Sequence, residues 1–306
     1  MPTVSVLIPV HNTARWLAQT IASVQRQSVP DWELIALDDG STDASYETLQ
    51  NLAIHEPRMR ILTRPNKGLV ATRNELLAMA RGEFIAWLDS DDRMTLDRLA
   101  LQLDRFAREP GLLCLGGACT LTDPDGLPLR THAFPTNHED LVQAMREEIA
   151  FYFPSVTMRR DAAVKVGGFR EPFAIAEDYD LCLRLSEIGR VGNLSEVVLL
   201  YRQHMASTAN SGRAKTHGYS RLVRELAEER RTTGTDRLQR GEPVALHFDP
   251  LPSKRHNHAE THRRWAWWAL GHGYLQTARK YALRSIREAP FHRDSWKLMA
   301  CALRGH

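Results

Sequence analysis

Phe84-Ile85-Ala86-Trp87-Leu88-Asp89-Ser90-Asp91-Asp92 passes from five apolar residues directly into three carboxylates within four positions. The apolar run reads as a buried strand. Like charges this close repel, so a fold keeps them where a cation or a cationic ligand neutralises them. Hard oxygen ligands at a strand end suit Mg²⁺ or Mn²⁺, which keep coordination places open for substrate phosphates. Two further acidic pairs, Asp38-Asp39 and Glu177-Asp178, also follow apolar or Gly-rich segments. Together the three clusters point to a metal-assisted enzyme acting on a phosphorylated donor.

Around this stretch, strand-like and helix-like runs alternate. Strands are expected at 3–10, 32–37, 59–63 and 84–88. Helices are expected at 14–27, after Asp43, at 69–80 and at 95–109, the last stopped by Pro110-Gly111. Such alternation implies an α/β fold with parallel strands and covering helices. Ligands then sit beyond the carboxyl ends of the strands, where Asp38-Asp39 and Asp89–Asp92 fall. Beyond residue 110 the pattern loosens: a strand at 112–122, a tight turn at Asp123-Pro124-Asp125-Gly126, a short strand at 156–159 and a helix at 179–187. A strand at 196–202 follows. The boundary is drawn at 212, with helices expected at 219–231, 259–271 and 274–288.

The chain has 306 residues, 43% of them hydrophobic, enough for one large domain with a smaller partner. No window holds the roughly 18 uninterrupted apolar residues of a membrane span. No secretory signal is expected before the first strand, and Cys114, Cys119, Cys182 and Cys301 match no zinc or redox spacing, so reduced thiols in the cytoplasm are expected. The net charge of +3 hides an asymmetry: residues 213–306 carry 19 Lys/Arg against 9 Asp/Glu, and residues 1–212 carry 21 against 28. An acidic first part suits a cation-binding cleft. A basic second part suits an anionic partner such as a membrane surface or an acidic glycan.

Six segments occur in a recognisable order: Val4-Ser5-Val6-Leu7-Ile8-Pro9-Val10-His11-Asn12; Asp38-Asp39-Gly40-Ser41-Thr42-Asp43; Asn66-Lys67-Gly68 with Arg73-Asn74; Asp89-Ser90-Asp91-Asp92; Val166-Gly167-Gly168-Phe169; and Glu177-Asp178. In that order they resemble the inverting family 2 glycosyltransferases, whose fold is GT-A, over residues 3–212. A lone DxD is weak, and six motifs in sequence are specific.

The resemblance implies a Rossmann-like, mostly parallel sheet flanked by helices, with a small C-terminal α-helical region at 213–306. It places Pro9, Asp39, Arg73, Asp89, Ser90 and Glu177 on the nucleotide-sugar, probing base, ribose and diphosphate. It makes Asp178 the catalytic base. It makes Asp91 the metal ligand, with Asp92 sharing that role in some relatives and His204 completing the shell. Each role is chemically sound: a guanidinium suits a diphosphate, a carboxylate accepts a hydroxyl proton, and Gly40 admits a close backbone approach. Blander readings stand beside them. Asp43 and Asp92 are also good helix caps, and Glu177-Asp178 at a helix N-terminus suits the dipole without catalysis. Thr72, alanine in many relatives, is expected to matter little.

Pro9 is expected to end the first strand. Thr261-His262-Arg263-Arg264-Trp265 lacks the glutamine of the processive members' Gln-x-x-Arg-Trp motif, so a single sugar addition is expected. The implied cofactor is Mn²⁺ or Mg²⁺. The implied partners are a nucleotide-sugar, UDP-linked, and a glycan, lipid-linked or protein acceptor, with peripheral contact to an anionic membrane and no nucleic acid. Gly273, Ala278, Ala282 and Pro290 faintly resemble half of a tetratricopeptide repeat. Trp265, Trp267 and Trp268 beside Arg263-Arg264 read either as a membrane-surface helix or as packing. The alternatives of other classes are a glycoside hydrolase, which needs neither metal nor diphosphate contacts, and a non-catalytic sugar-binding or scaffold protein.

Overall fold

The computed structural model describes residues 1–205, 213–246 and 258–305. The chain divides into two compact units. The first comprises Met1–Ala118, Ala133–Leu199 and Gly212–Asp249, and the second Cys119–His132, Leu200–Ser211 and Pro250–His306. This differs from a boundary at residue 212, because the segment after it belongs with the first unit.

The first unit opens with β1 (Val4–Val10), α1 (Ala14–Gln25), β2 (Trp32–Asp38), α2 (Ser45–Ala53), β3 (Met59–Thr63), α3 (Leu69–Met79) and β4 (Phe84–Trp87). β1 lies between β2 and β4 and runs parallel to both, with Val10 opposite Asp38 and Leu7 opposite Trp87. β3 is parallel to β2. Every residue of β1 and β2 is buried, as expected when helices cover both faces of a parallel sheet. Pro9 does not end β1, which continues through Val10. It pairs with Leu37 on one side, and on the other it lies past the last β4 pairing at Leu7, where a missing N–H costs no ladder bond.

Then follow β5 (Arg93–Met94), α4 (Arg98–Arg108), β6 (Leu112–Thr122), β7 (Pro128–His132), α5 (His138–Ala144), a 3₁₀ turn at Phe153–Ser155, β8 (Thr157–Arg159), α6 (Arg160–Lys165), α7 (Glu177–Ser186), β9 (Arg190–Arg202) and α8 (Arg213–Thr233). The strand order is β3-β2-β1-β4-β8-β6-β9-β5, with β7 on β6. β8 is antiparallel to β4 and to β6. The expected mostly parallel sheet is therefore a mixed one. The strict alternation that dictates parallel pairing ends with α4, and β8 then enters between β4 and β6 antiparallel to both.

In the second unit a hairpin links β6 and β7. Its turn is closed by Asp123, whose Oδ1 accepts from the amides of Asp125 (2.9 Å) and Leu127 (2.8 Å). Three helices follow: α9 (His258–Gly271), α10 (Leu275–Glu288) and α11 (Arg293–Arg304). Ala278 and Ala282 are fully buried. Trp265 is buried and meets Tyr281 edge-on at 5.0 Å. The Tyr281 hydroxyl donates to Asp123 at 3.0 Å, and Lys280 bridges Asp123 and Asp125. His262, one turn from His258, is paired with Glu288 at 2.9 Å. No described helix is long and apolar enough to cross a membrane.

Candidate active site

The carboxyl ends of β1, β2 and β4 meet in the first unit, and short polar side chains stitch them together. Asn12 sits at φ +54° and its Oδ1 accepts from the amides of Thr42 (2.8 Å) and Asp43 (3.3 Å). Asp43 accepts from the amides of Ala14 (3.1 Å) and Ser45 (2.9 Å), so it serves the starts of α1 and α2 together. The Thr13 hydroxyl donates to Ser90 Oγ at 2.9 Å, and Thr20 donates to the Ser90 carbonyl at 2.9 Å. The acidic turn after β4 is thereby held against α1.

Asp39 is buried and carries its own latch. Its two oxygens accept from the amides of Lys67 and Gly68, each at 2.9 Å, and from the Arg64 guanidinium. Arg64 also reaches Glu75 (2.8 Å) and Thr72 Oγ1 (2.9 Å), and Thr72 in turn donates to the Gly68 carbonyl at 2.8 Å. Thr72 thus supplies one of the two side chains by which α3 holds Arg64, a bond that an alanine there would lack. Gly40 holds φ +71°, and a Cβ would stand 2.7 Å from the Asn66 amide nitrogen. That close approach explains the glycine.

The third feature is a buried arginine ringed by acids. Arg73 projects from α3 and donates to Glu177 Oε1 at 2.5 Å, with Asp89 Oδ1 at 3.5 Å. Its guanidinium lies 4.6 Å from the Phe153 ring, 5.5 Å from Phe169 and 5.9 Å from Trp87. The Arg73 and Glu177 side chains are each only 5% exposed, whereas Asp89 keeps 36% of its surface open. Buried Nε of Arg73 has no hydrogen-bond partner among the described residues. Asp178 is half-buried beside Glu177 in the first turn of α7, and it also accepts from the Tyr179 amide at 2.7 Å.

Burial pushes all three acids up. Asp89 rises to about 6, with Arg73 pulling down and Asp91 and Asp178 adding to the rise. Burial raises Asp178 against the pull of Arg73. Burial lifts Glu177 to about 7, opposed by Arg73 and helped by Asp178. A carboxyl raised in the folded state keeps a proton that the unfolded chain has already lost. Its contribution is therefore greatest at acid pH and declines as pH rises from about 4.5 to about 7. Glu177→Gln should flatten that decline, read as the Tm of ligand-free protein between about pH 5 and about pH 8. An unchanged slope would assign the charge elsewhere.

Behind α7 a chain of ion pairs fixes the acid-bearing segment. Arg184 donates to the Val166 carbonyl (2.5 Å), the Gly168 carbonyl (2.7 Å) and Asp180 (2.9 Å). Arg170 bridges Asp180 and Asp236, and Arg230 bridges Asp236 (2.5 Å) and Glu187 (2.7 Å). The Asp180 and Asp236 side chains are fully buried. Asn74 clamps Phe169 from both sides, accepting its amide at 2.9 Å and donating to its carbonyl at 2.8 Å. Gly168 at φ +65° leaves no room for a Cβ, which would stand 2.6 Å from Asn74 Oδ1. Ala176 is held at φ +66°, a conformation costing an alanine about 1–2 kcal/mol. Asp236→Asn would take one of two carboxylate partners from each of Arg170 and Arg230 and should lower unfolding free energy by about 2 kcal/mol. Denaturant titration checks this, and a loss within error would show the network to be dispensable.

Pro9, Asp39, Arg73, Asp89, Ser90, Glu177 and Asp178 thus gather at one sheet end, with Asp91 half-buried in the same turn. His204 lies two residues beyond β9, half-buried, in the second unit. The sequence gives no sign of the roles of Arg64, Phe153 and most of the Asp180 network. The Asp180–Arg184 pair has a local signature, opposite charges at i,i+4.

The model of glycosyl transferase family 2 matches residues 5–167, more than half of the chain. The chain belongs to glycosyl transferase family 2. This family 2 chain is 35% identical over 199 residues to a chondroitin synthase of Pasteurella multocida, covering 64% of the chain and 20% of the relative. It is 32% identical over 232 residues to the O-antigen biosynthesis protein RfbC of Myxococcus xanthus, covering 74% of the chain and 18% of that protein. The chain thus spans about a fifth of the length of these relatives. A putative glycosyltransferase EpsE of Bacillus subtilis is 30% identical over 256 residues, 81% of the chain and 90% of that protein. Among solved structures, S. aureus TarS 1-349 with UDP-GlcNAc aligns at TM-score 0.60 and 15% identity, covering 99% of the chain and 92% of that TarS fragment. Mannosyltransferase PcManGT of Pyrobaculum calidifontis, with GDP-Man and Mn²⁺, aligns at TM-score 0.56 and 17% identity, covering 99% and 85%. These similarities show the GT-A fold for this family 2 chain.

Proposed function

We propose that this chain transfers one sugar at a time, with inversion, from a nucleotide-sugar to a hydroxyl acceptor in the synthesis of a surface polysaccharide or glycoconjugate. The observation that carries it is the convergence of Asp89, Glu177 and Asp178 on the buried Arg73 at the end of β4. UDP is the donor nucleotide we favour, as in the complex of TarS. Asp39 and the turn at His11-Asn12 would receive the base, Asp89 and Ser90 the ribose, and the unpartnered Nε of Arg73 the anionic end of the donor.

Among the described residues, no three His, Cys, Asp or Glu side chains form a ready cage for an ion. An Mn²⁺ or Mg²⁺ would enter with its nucleotide, because such ions are held by one or two carboxylates plus phosphate oxygens. Asp91, in the turn that Ser90 anchors, is the residue that would hold it. When bound, the ion would screen the diphosphate and stabilise it as leaving group. Asp178 takes the proton from the acceptor hydroxyl as that oxygen attacks the anomeric carbon. Burial raises its pKa, which makes it a stronger base than an exposed aspartate. Glu177 stays paired with Arg73 and keeps Asp178 in place at the start of α7. Membership of glycosyl transferase family 2 favours transfer over glycoside hydrolysis. A peripheral position at an anionic membrane would bring the enzyme to a lipid-linked acceptor.

The test is a thermal-shift panel of UDP- and GDP-sugars with and without Mn²⁺, followed by assay of nucleoside diphosphate release. A Tm rise that needs both nucleotide and metal supports the reading. A protein that ignores every nucleotide and hydrolyses glycosides in chelator overturns it.

A further inference from the structure

The tryptophan cluster of α9 is not an outward-facing aromatic face. Trp265 is buried, and Trp268 lies under the guanidiniums of Arg130 (4.3 Å) and Arg264 (5.4 Å), leaving Trp267 exposed. The exposed aromatics are on and beside α11. Phe291 is 98% exposed and Trp296 is 56% exposed, with Leu303 at 63%. Ser295, Leu298 and Ala302 form the buried side of α11. At 100° per residue, Arg293, Trp296, Lys297, Leu303 and Arg304 share the opposite face. All five are exposed. The Trp296 indole donates to the Pro290 carbonyl at 2.7 Å, so the ring is held in place rather than free to fold back.

From this face we infer a docking surface for a membrane bearing anionic phospholipid headgroups. Trp296 and Leu303 occupy one edge of the face and Arg293, Lys297 and Arg304 the other, with Phe291 just before the helix. Rings suit the boundary between headgroups and acyl chains, and long basic side chains reach out to the phosphates. A second copy of the chain would set three cations against three cations, relieved only by Asp294. The rest of the unit has the same sign, since residues 258–305 carry nine Lys/Arg and three Asp/Glu. Leu283, Arg284 and Arg287 add exposed apolar and basic groups on α10. The inference gives the membrane contact of the proposed function its surface, and it holds or fails whether or not a donor sugar is found.

The experiment is co-sedimentation of the full chain with vesicles of phosphatidylcholine alone and of phosphatidylcholine mixed with phosphatidylglycerol. The wild type should bind the anionic vesicles at least about tenfold more tightly than the neutral ones, and added salt should weaken it. Phe291→Ser with Trp296→Ser, and separately Arg293→Glu with Lys297→Glu, should each lose about tenfold while keeping the wild-type Tm, because all four side chains are exposed. Equal binding to both vesicles, or wild-type binding by either double variant, overturns the inference. A loss confined to the charge-reversed variant points to a soluble polyanion and also overturns it. Dimerisation that only the wild type shows assigns the face to a second copy and does the same.

Discussion

Asp178→Asn lowers turnover by about 10²–10⁴-fold and leaves donor affinity within about twofold of wild type. Asparagine keeps the shape of the side chain and can still accept from the Tyr179 amide, so α7 should start as before. What it lacks is basicity. The acceptor hydroxyl would attack while still carrying its proton, and only the chemical step would suffer. The pH profile gives a second reading. Burial raises Asp178 above the usual carboxylate range, so kcat/KM should climb as pH passes that raised value. The variant should lack this limb. Stopped-assay rates with titration of the nucleotide separate the two quantities, and wild-type turnover in the variant would remove Asp178 from the mechanism.

The largest stability effect is expected at Arg73. Arg73→Met keeps much of the volume between Phe153, Phe169 and Trp87 but deletes the charge that Glu177, Asp89 and Asp178 share. Breaking a buried pair from one side leaves the other charge uncompensated, which costs on the order of 3 kcal/mol. Glu177 can escape part of that cost by binding a proton, so the loss should be smaller at acid pH than at neutral pH. Double substitution with Glu177→Gln should recover part of the stability and none of the turnover. Denaturant unfolding near pH 5 and near pH 8 measures both points. Equal stability of the single variant and wild type at the higher pH would mean that Arg73 is not the counter-ion.

Much of this was legible because the sequence repeats one physical device. β1 to β4 are short apolar runs ended by polar or acidic residues, and each boundary fell within one or two residues of its expected place. β5 could not be seen, since two residues show no period. β9 was recognised only from Glu196, because its first half, Arg190-Val191-Gly192-Asn193-Leu194, mixes glycine and polar groups. Asn193 is buried there for its side-chain bonds to the Pro135 and Ala150 carbonyls, which no period predicts. α5 had a readable start, Asn137 accepting from the Asp140 amide, yet its few buried positions hid it. The motif-bearing acids were placed by resemblance. Their electrostatic environment was not, because Arg73 meets Glu177 across 104 residues and Arg170 meets Asp236 across 66. Local patterns end at the next turn, and charge pairing across a fold leaves none.

The proposed activity depends most on the turn after β4 gripping a diphosphate through an ion held by Asp91. Calorimetric titration of UDP into wild type and Asp91→Ala, with and without Mn²⁺, addresses it without any acceptor or donor sugar. Wild type should bind UDP at least about tenfold more tightly with Mn²⁺ present, and Asp91→Ala should lose that gain while binding metal-free UDP as before. Equal UDP affinity for the two proteins in Mn²⁺, or no effect of the metal on wild type, would contradict it.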